Sequence, residues 1–482
     1  MGCRVAVSTP SRINTMDGQP DRNNRHSRWL PALEGLRAVA VVMILVHHVS
    51  YLSGMTNSPG QSSGLLARLD VGVALLFALS GFLLYRPFAA AAIHSYPTPS
   101  VRRYLWHRAL RILPGYWAMA AVALAWLNIQ YLTSPADWAI PLLLMQVYEP
   151  LRLPVGMEHT WSLATGAAFC LLLPLVALLG RCLGGRSPRA RARRQLALGI
   201  GVILVGLLWN GYVHTPDSPL QDVAALWLPS HLDWFGTGVV LAVLVSWPDG
   251  TRPSAFLGTI DPTAVKATDG GDQLWYLLPR GLRTFTFAPA TSWAVAAVLL
   301  WIASTPIAGP RALEPATRAE VLAEHLLFLL VAWCLIAPLV GPRTDGLPRR
   351  FLGQPAVRFL GRISYGIFLW HLLVLEAALR LLGFTRFDSS FWSLLAVTLA
   401  LTIPIATASH YLVERPVRLL YRRVESRSLT RPPEPASAPD GAAQPATESA
   451  GPPLLVPPRH PPATQHQGRD GDEEQHGRHQ HE

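Results

Sequence analysis

Long apolar runs alternate with short polar segments over most of the chain. A helix needs about 20 residues to cross the roughly 30 Å hydrocarbon layer of a bilayer. Ten runs are of about this length, at about 33–53, 69–90, 113–132, 161–181, 195–213, 224–246, 289–304, 322–340, 363–382 and 391–413. An apolar run at 138–147 is too short to span and is expected to be re-entrant or interfacial. Because a helix satisfies its own backbone hydrogen bonds in lipid, the pattern predicts an all-α, polytopic helical membrane protein with about ten transmembrane helices.

The distribution of basic residues gives the expected topology. The chain has 482 residues and a net charge of +11. With the N-terminus in the cytoplasm, the inner loops between the ten spans hold twenty Arg and Lys residues, and the outer loops hold five. This asymmetry is typical of the positive-inside rule, so we expect both termini to be cytoplasmic. Membrane topology explains the excess positive charge, which therefore does not indicate a nucleic-acid partner.

Composition divides the chain into three segments. Residues 1–28 are polar and are expected to form a flexible cytoplasmic tail, and residues 29–424 form the transmembrane domain. Residues 425–482 are rich in Pro and His and are expected to be a disordered cytoplasmic tail. The long loop at about 247–288 is expected on the inner surface. The four cysteines show no metal-binding spacing, so no metal is expected.

The first apolar run carries ionisable residues at both ends, in LEGLRAVAVVMILVHH from Leu33 to His48. Arg37 and His48 are 11 residues apart, so they share one helix face about 16 Å apart along the axis. Ionisable groups within a span are costly and indicate function. The alternative interpretation is that Arg37 reaches lipid phosphates and the histidines lie near the far surface.

A second basic pattern lies in RRYLWHRALRILPGYW, from Arg102 to Trp117. Arg108 and Arg111 are three residues apart on a short amphipathic helix predicted just before a span, which suits a phosphate group. Anchoring to anionic lipid is the alternative.

Other polar residues lie within or beside later spans. Ser80 and Gly81 favour close helix packing, and the segment HTWSL, starting at His159, opens a span from the outer side. RISYGIFLWH ends on His371, which alone would be interpreted as a packing residue, and Glu414 and Arg415 are expected to form an ion pair that ends the last span.

Taken together and in order, these segments resemble the membrane-bound acyltransferase-3 family, the integral membrane O-acyltransferases of surface carbohydrates and some macrolides. Arg37 and His48 match the family's R-x10-H pair, and Arg108 and Arg111 match its R-x-x-R pair. GVALLFALSGFLL, SYGIFLWH and ERPVR look like further family signatures. The resemblance covers about 29–424.

One position departs from the family pattern. Members usually have W-S-L-x-x-E at the fourth span, whereas this chain has WSLATG, with Gly166 in place of the acid. Glu158 or Asp233 could substitute for it.

The resemblance implies transfer of an acyl group, such as acetyl, from cytoplasmic acyl-CoA to a hydroxyl of a sugar-containing acceptor. The acceptor could be a cell-envelope glycan, a glycolipid or a glycosylated metabolite. It implies that Arg108 and Arg111 bind acyl-CoA and that Arg37 provides a further cation for its phosphates. It also implies that His48 and Arg37 are the catalytic residues, with His48 as general base, and that no metal takes part. Tyr365, Ser80 and His159 are unranked candidates for steadying the oxyanion. A covalent acyl-His48 relay is an alternative to direct transfer.

Two other classes of function remain open on the sequence. A secondary transporter would also have about ten spans with buried polar groups, although paired Gly/Pro-broken repeats are not apparent. A non-catalytic scaffold or sensor derived from the same fold would be consistent with Gly166. Dependence on acyl-CoA and on His48 distinguishes the enzyme from both.

Overall fold

A computed structural model gives the fold of this protein and describes residues 31–149, 153–215, 218, 220–247, 288–310, 316–340 and 346–421. The predicted tails at 1–28 and 425–482 and almost all of the predicted inner loop at 247–288 lie outside the described residues. The domain boundaries proposed from composition therefore stay predictions.

Ten helices correspond one to one with the ten apolar runs. They are α1 (Pro31–Leu52), α2 (Val71–His94), α3 (Val101–Leu127), α4 (Trp161–Cys182), α5 (Pro188–Val213), α6 (Leu232–Val245), α7 (Pro289–Ala303), α8 (Arg318–Val340), α9 (Pro355–Leu381) and α10 (Phe391–Ser409). Over the described ranges, nine helical segments are long and apolar enough to cross a membrane, and α7, with 15 residues, is shorter. The prediction of a polytopic helical membrane protein is confirmed.

The helix boundaries differ from the prediction at α3. The basic stretch that contains Arg108 and Arg111 is not a separate short helix before a span but the first part of one continuous helix. Ser100 caps its start, its hydroxyl accepting a hydrogen bond from the backbone N–H of Arg103 at 3.5 Å. Pro114 lies inside the helix without ending it, as neighbouring helices in a membrane bundle allow. The two arginines are therefore fixed to a spanning helix.

The short apolar run at 138–147 gives a helix of eight residues, Pro135–Leu142, between α3 and α4. A capping box starts it, in which Asp137 accepts from the backbone N–H of Ser134 at 2.8 Å and Ser134 accepts in return at 3.3 Å. Its length of about 12 Å is too short to cross a bilayer, as expected.

Close backbone contacts join α2 to α6 and α1 to α9. A side chain at Gly81 of α2 would overlap the carbonyl oxygen of Phe235 in α6, so only glycine allows this approach. Gly361 of α9 meets the backbone of Glu34 in α1 in the same way. The packing role expected for Gly81 is thus confirmed. These contacts hold α1 and α9 side by side, with their polar residues facing each other.

Candidate active site

The three arginines singled out in the sequence line one cavity of about 410 Å³ within the helix bundle. Arg37 comes from α1, and Arg108 and Arg111, one turn apart, come from α3. Ser80, Ser364 and Tyr365 add hydroxyl groups to the wall, and Phe77 and Phe368 add apolar surface. The structure therefore brings together residues that lie more than 70 positions apart in the sequence.

The cavity is cationic. No Asp or Glu is among its lining residues in the described ranges, while three guanidinium groups are. The Nε atom of Arg108 is buried without a hydrogen-bond partner, and its guanidinium lies 5.9 Å from the centre of the Tyr104 ring. Guanidinium groups that converge in this way suit an anion with several oxygens, such as a phosphate.

His48 lies at a second level of the bundle, three turns along α1 from Arg37, or about 16 Å by helix rise. Its Nδ1 lies 2.9 Å from the carbonyl oxygen of Ile44, one turn earlier in α1. The same nitrogen lies 3.3 Å from Nε2 of His371, which α9 brings beside it. The side chain of His47, on a different face, is in contact only edge-on, with 5.2 Å between the ring centres.

His159 joins the two rings to form a cluster of three histidines. Its ring centre lies 4.8 Å from that of His371 and 6.4 Å from that of His48. Phe368, one turn before His371, lies 5.0 Å from His159 and also lines the cationic cavity. The cluster therefore lies behind this phenylalanine, and none of its three histidines is among the residues that line the cavity.

Sequence reasoning named His371 and His159 but did not connect them with His48. The signals were present, because SYGIFLWH places a histidine within a span and HTWSL places one just before a span. Neither spacing could show that α9 and the start of α4 meet α1 at the same level.

The three residues considered for steadying an oxyanion differ in how their donors are used. The hydroxyl of Ser80 donates to the carbonyl oxygen of Leu76 at 2.8 Å, and that of Tyr365 donates to the carbonyl oxygen of Ile112 at 2.6 Å. Both hydroxyl groups line the cavity. Both ring nitrogens of His159 are buried without a hydrogen-bond partner, and the residue is 3% exposed. Ser80 and Tyr365 thus line the cavity, but their hydroxyl hydrogens are donated to backbone carbonyls. His159 has ring nitrogens without a hydrogen-bond partner, but its side chain is buried.

Gly166 lines the cavity, and a Cβ atom built there would meet no atom within 4 Å. Neither acid considered as a substitute reaches the cavity wall. Asp233 lies 2.9 Å from Nδ1 of His325 on α8, and Glu158 precedes α4. The position therefore has room for a side chain, and neither Glu158 nor Asp233 replaces the missing acid in the cavity wall.

The last span does not end with the expected ion pair between Glu414 and Arg415. A π-helical turn, His410–Glu414, follows α10. It places the Glu414 carboxylate 3.2 Å from Nδ1 of His410 and 3.8 Å from Arg418, whereas Arg415 lies over the ring of Tyr411. Glu414 is buried, and its carboxylate lies close enough to the Arg111 guanidinium to interact with it electrostatically.

A second polar cluster, which sequence reasoning did not predict, lies away from the cavity. Asp233 pairs with His325, and Arg68 pairs with Glu324 at 2.9 Å. Arg68 also donates to the carbonyl oxygens of Ala303 and Gly309, and so ties the segment before α2 to the end of α7. Across the described residues, no group of three or more His, Cys, Asp or Glu side chains is arranged to hold a metal ion.

Comparison with known proteins agrees with these features. Residues 30–411 match the sequence profile of the acyltransferase-3 family, described as an acyltransferase domain. YrhL of Bacillus subtilis, named as a candidate peptidoglycan O-acetyltransferase, is 21% identical over 421 residues, covering 84% of this chain and 57% of YrhL. OatA of Listeria monocytogenes, named a peptidoglycan O-acetyltransferase, is 22% identical over 412 residues, covering 82% of this chain and 57% of OatA.

The chain thus spans 57% of the length of each of these two relatives. No solved structure is significantly similar to it. The family profile, however, extends from the start of α1 to the π-helical turn and includes Arg37, His48, Arg108, Arg111 and His371. The resemblance noted in the sequence is confirmed: this multi-pass protein of the cell membrane belongs to the acyltransferase-3 family.

Proposed function

We propose that the protein is an O-acyltransferase that transfers an acyl group, such as acetyl, from acyl-CoA to a hydroxyl of a sugar-containing acceptor. Membership of the family supports an acyltransferase, and the donor, the acceptor class and the residue roles are our proposal. The observation that carries it is the cavity lined by three guanidinium groups and by Phe368, whose ring also contacts the histidine cluster that includes His48.

The donor is inferred from charge and shape. CoA carries a diphosphate and a 3′-phosphate at one end and the thioester at the other. Arg37, Arg108 and Arg111 would hold the phosphates, and the pantetheine arm would lie along the cavity wall formed by Leu76 and Leu163. A volume of about 410 Å³ lies within the range of small-molecule sites, roughly 300–1,000 Å³.

His48 would act as general base on the acceptor. It takes the proton of the acceptor hydroxyl as that oxygen attacks the thioester carbonyl, giving a tetrahedral oxyanion. The intermediate then collapses, the C–S bond breaks, and the departing thiolate receives the proton from His48. The products are the acyl ester and CoA, with no net change in protons. Formation of an acyl-His48 intermediate remains the alternative to this direct transfer.

The acceptor is inferred only by class. The names of both relatives refer to peptidoglycan, a glycan with free hydroxyl groups. A cell-envelope glycan, a glycolipid or a glycosylated metabolite would each present such a hydroxyl to a membrane enzyme. We propose this class and not a particular member of it.

Binding of acetyl-CoA to the full chain in detergent tests the proposal before any acceptor is known. We expect acetyl-CoA to raise the melting temperature of the wild type but not of Arg108→Ala/Arg111→Ala. Arg102→Ala/Arg103→Ala is the matched control, because these two arginines lie on the same helix but do not line the cavity. We expect His48→Ala to bind acetyl-CoA but to lose the slow release of CoA. If CoA thioesters do not stabilise the wild type, or stabilise the double variant equally, the proposal is wrong.

A further inference from the structure

The ring of His371 lies beside Nδ1 of His48. His371 is 0% exposed and does not line the cationic cavity, so it has no direct access to a ligand there. Its Nε2 lies 3.3 Å from Nδ1 of His48. The polar contact of this nitrogen is with His48, so we expect His371 to affect the reaction through His48.

The surroundings of His371 determine which of its nitrogens carries the hydrogen. Nδ1 lies 2.7 Å from the carbonyl oxygen of Phe368 and 3.2 Å from that of Ile367. Carbonyl oxygens only accept hydrogen bonds, so a bare nitrogen there would face two acceptors. Nδ1 therefore carries the hydrogen, and the neutral ring presents a lone pair on Nε2 to His48.

The surroundings of His48 favour hydrogen on Nδ1 in this ring as well. Its Nδ1 lies 2.9 Å from the carbonyl oxygen of Ile44 and 3.3 Å from Nε2 of His371. Both neighbours are acceptors, so Nδ1 of His48 carries its hydrogen and is shared between them. Nε2 of His48 is then left with the lone pair that a general base requires.

We propose that His371 is a positioning residue that holds His48 in the tautomer with hydrogen on Nδ1 and the free base on Nε2. This proposal rests on the proposed function of His48. When Nε2 of His48 takes the proton of the acceptor hydroxyl, the Nδ1–H bond becomes a charge-assisted donor to His371 and Ile44. The proton on Nε2 then goes to the departing thiolate, and both rings return to their starting tautomers.

A neutral partner suits this position in a membrane. A carboxylate in the place of His371 would orient His48 equally well, but it would remain a buried charge between turnovers, when His48 is neutral. Imidazole with its hydrogen fixed on the far nitrogen provides an acceptor without that charge. The backbone carbonyls of Ile367 and Phe368 thus fix His371, and His371 fixes His48.

The tautomer can be measured directly on the full-length protein. Long-range nitrogen–proton NMR correlations of [15N]histidine-labelled protein report which nitrogen of each neutral ring carries hydrogen, and His48→Gln assigns the signals of His48. We expect wild-type His48 to be protonated on Nδ1. Because the carbonyl oxygen of Ile44 remains in His371→Leu, we expect a smaller population of the Nδ1 form there than in the wild type. We expect that population to recover in His371→Gln, whose side-chain carbonyl can accept the same hydrogen bond. A wild-type His48 with hydrogen on Nε2 would overturn the proposal.

Kinetics separate positioning from a purely structural role. In His371→Leu we expect kcat for CoA release to fall on the order of 10- to 100-fold, the range for orienting partners of catalytic groups, with KM for acetyl-CoA unchanged. His371→Gln should regain much of that loss. His47→Gln, which removes a histidine beside His48 that does not contact its Nδ1, should stay near the wild type.

The outcomes also distinguish this proposal from the proposed function. A wild type that neither binds nor consumes acyl-CoA contradicts the function itself. An active wild type that requires His48, together with an equally active His371→Leu, contradicts only the positioning role. A His371→Leu protein that fails to fold leaves the wild-type tautomer and His371→Gln as the deciding measurements.

Discussion

The hydroxyl of Tyr365 donates a hydrogen bond to the carbonyl oxygen of Ile112, 2.6 Å away, and so joins α9 to α3 at the wall of the cationic cavity. Ile112 directly follows Arg111 in α3. The contact therefore connects the helix that carries His371 with the helix that carries the paired arginines. The positions of the paired arginines and of His371 therefore depend on the packing of α3 against α9.

Removal of this hydroxyl in Tyr365→Phe tests whether Tyr365 is structural or catalytic. Because its hydrogen is engaged by a backbone carbonyl, we expect a structural effect of about 0.5–1.5 kcal/mol in the free energy of unfolding. KM for acetyl-CoA should rise modestly, and turnover should slow less than tenfold. Thermal unfolding and steady-state release of CoA measure both effects. If turnover instead slows by roughly 100-fold or more, the range for loss of one oxyanion donor, Tyr365 is a donor to the oxyanion.

Gly166 gives a second prediction, since its surroundings do not require a glycine. A Cβ atom at this position would meet open space, and glycine within a helix is less favourable than alanine by roughly 0.5–1 kcal/mol. We therefore expect Gly166→Ala to raise thermal stability slightly. The matched control is Gly81→Ala, where the added Cβ would overlap the backbone of Phe235, so that variant should be strongly destabilised.

A gain in stability without loss of acetyl-CoA turnover would show that the open space at Gly166 is not needed for acetyl transfer. If Gly166→Ala destabilises the protein to the extent that Gly81→Ala does, the cavity wall is not as open as the structure indicates.

The number and order of the helices followed from the sequence, because each of the ten runs is continuous, apolar and bounded by polar residues. Only part of the site could be predicted from the sequence. Arg37 and His48, like Arg108 and Arg111, share a helix, so helical spacing alone relates them. The meeting of His48, His159 and His371 depends on contacts among three helices that are distant in the sequence. The pairing of Asp233 with His325, 92 residues apart, has the same origin and left no local signal.

The pair of Asp233 and His325 is expected to contribute to stability and not to turnover. Asp233 is 0% exposed, its Oδ2 lies 2.9 Å from His325, and the pair lies outside the cavity lining. Asp233→Leu should lower the free energy of unfolding by roughly 1.5–3 kcal/mol, the range for a hydrogen bond to a charged group. Arg380→Ala is the control, because Arg380 is largely exposed and lies 4.0 Å from Glu376, a pair worth about 1 kcal/mol at most.

Denaturation in detergent, followed by tryptophan fluorescence, compares the two variants. Any Asp233→Leu protein that remains folded should retain the KM of the wild type for acetyl-CoA. A selective loss of turnover in folded Asp233→Leu would show that this second cluster takes part in the reaction.

If the arginines bind the phosphates of CoA, the effect on affinity of removing the 3′-phosphate should depend on which arginines are present. CoA and 3′-dephospho-CoA differ by one phosphate group, so their affinities for one protein isolate the contribution of that phosphate. For the wild type we expect CoA to bind roughly 10- to 100-fold more tightly, the equivalent of about 1.5–3 kcal/mol for charge-assisted hydrogen bonds. In Arg108→Ala/Arg111→Ala the difference in affinity between the two ligands should become smaller, because two of the three guanidinium groups are gone. Single variants of Arg37, Arg108 and Arg111, compared in the same double-mutant cycle, would show which guanidinium contacts the 3′-phosphate and which contact the diphosphate.

If the ratio of affinities is the same in the wild type and in every arginine variant, these guanidinium groups do not bind the 3′-phosphate, and their place in the cavity would have to be explained by the acceptor or by lipid.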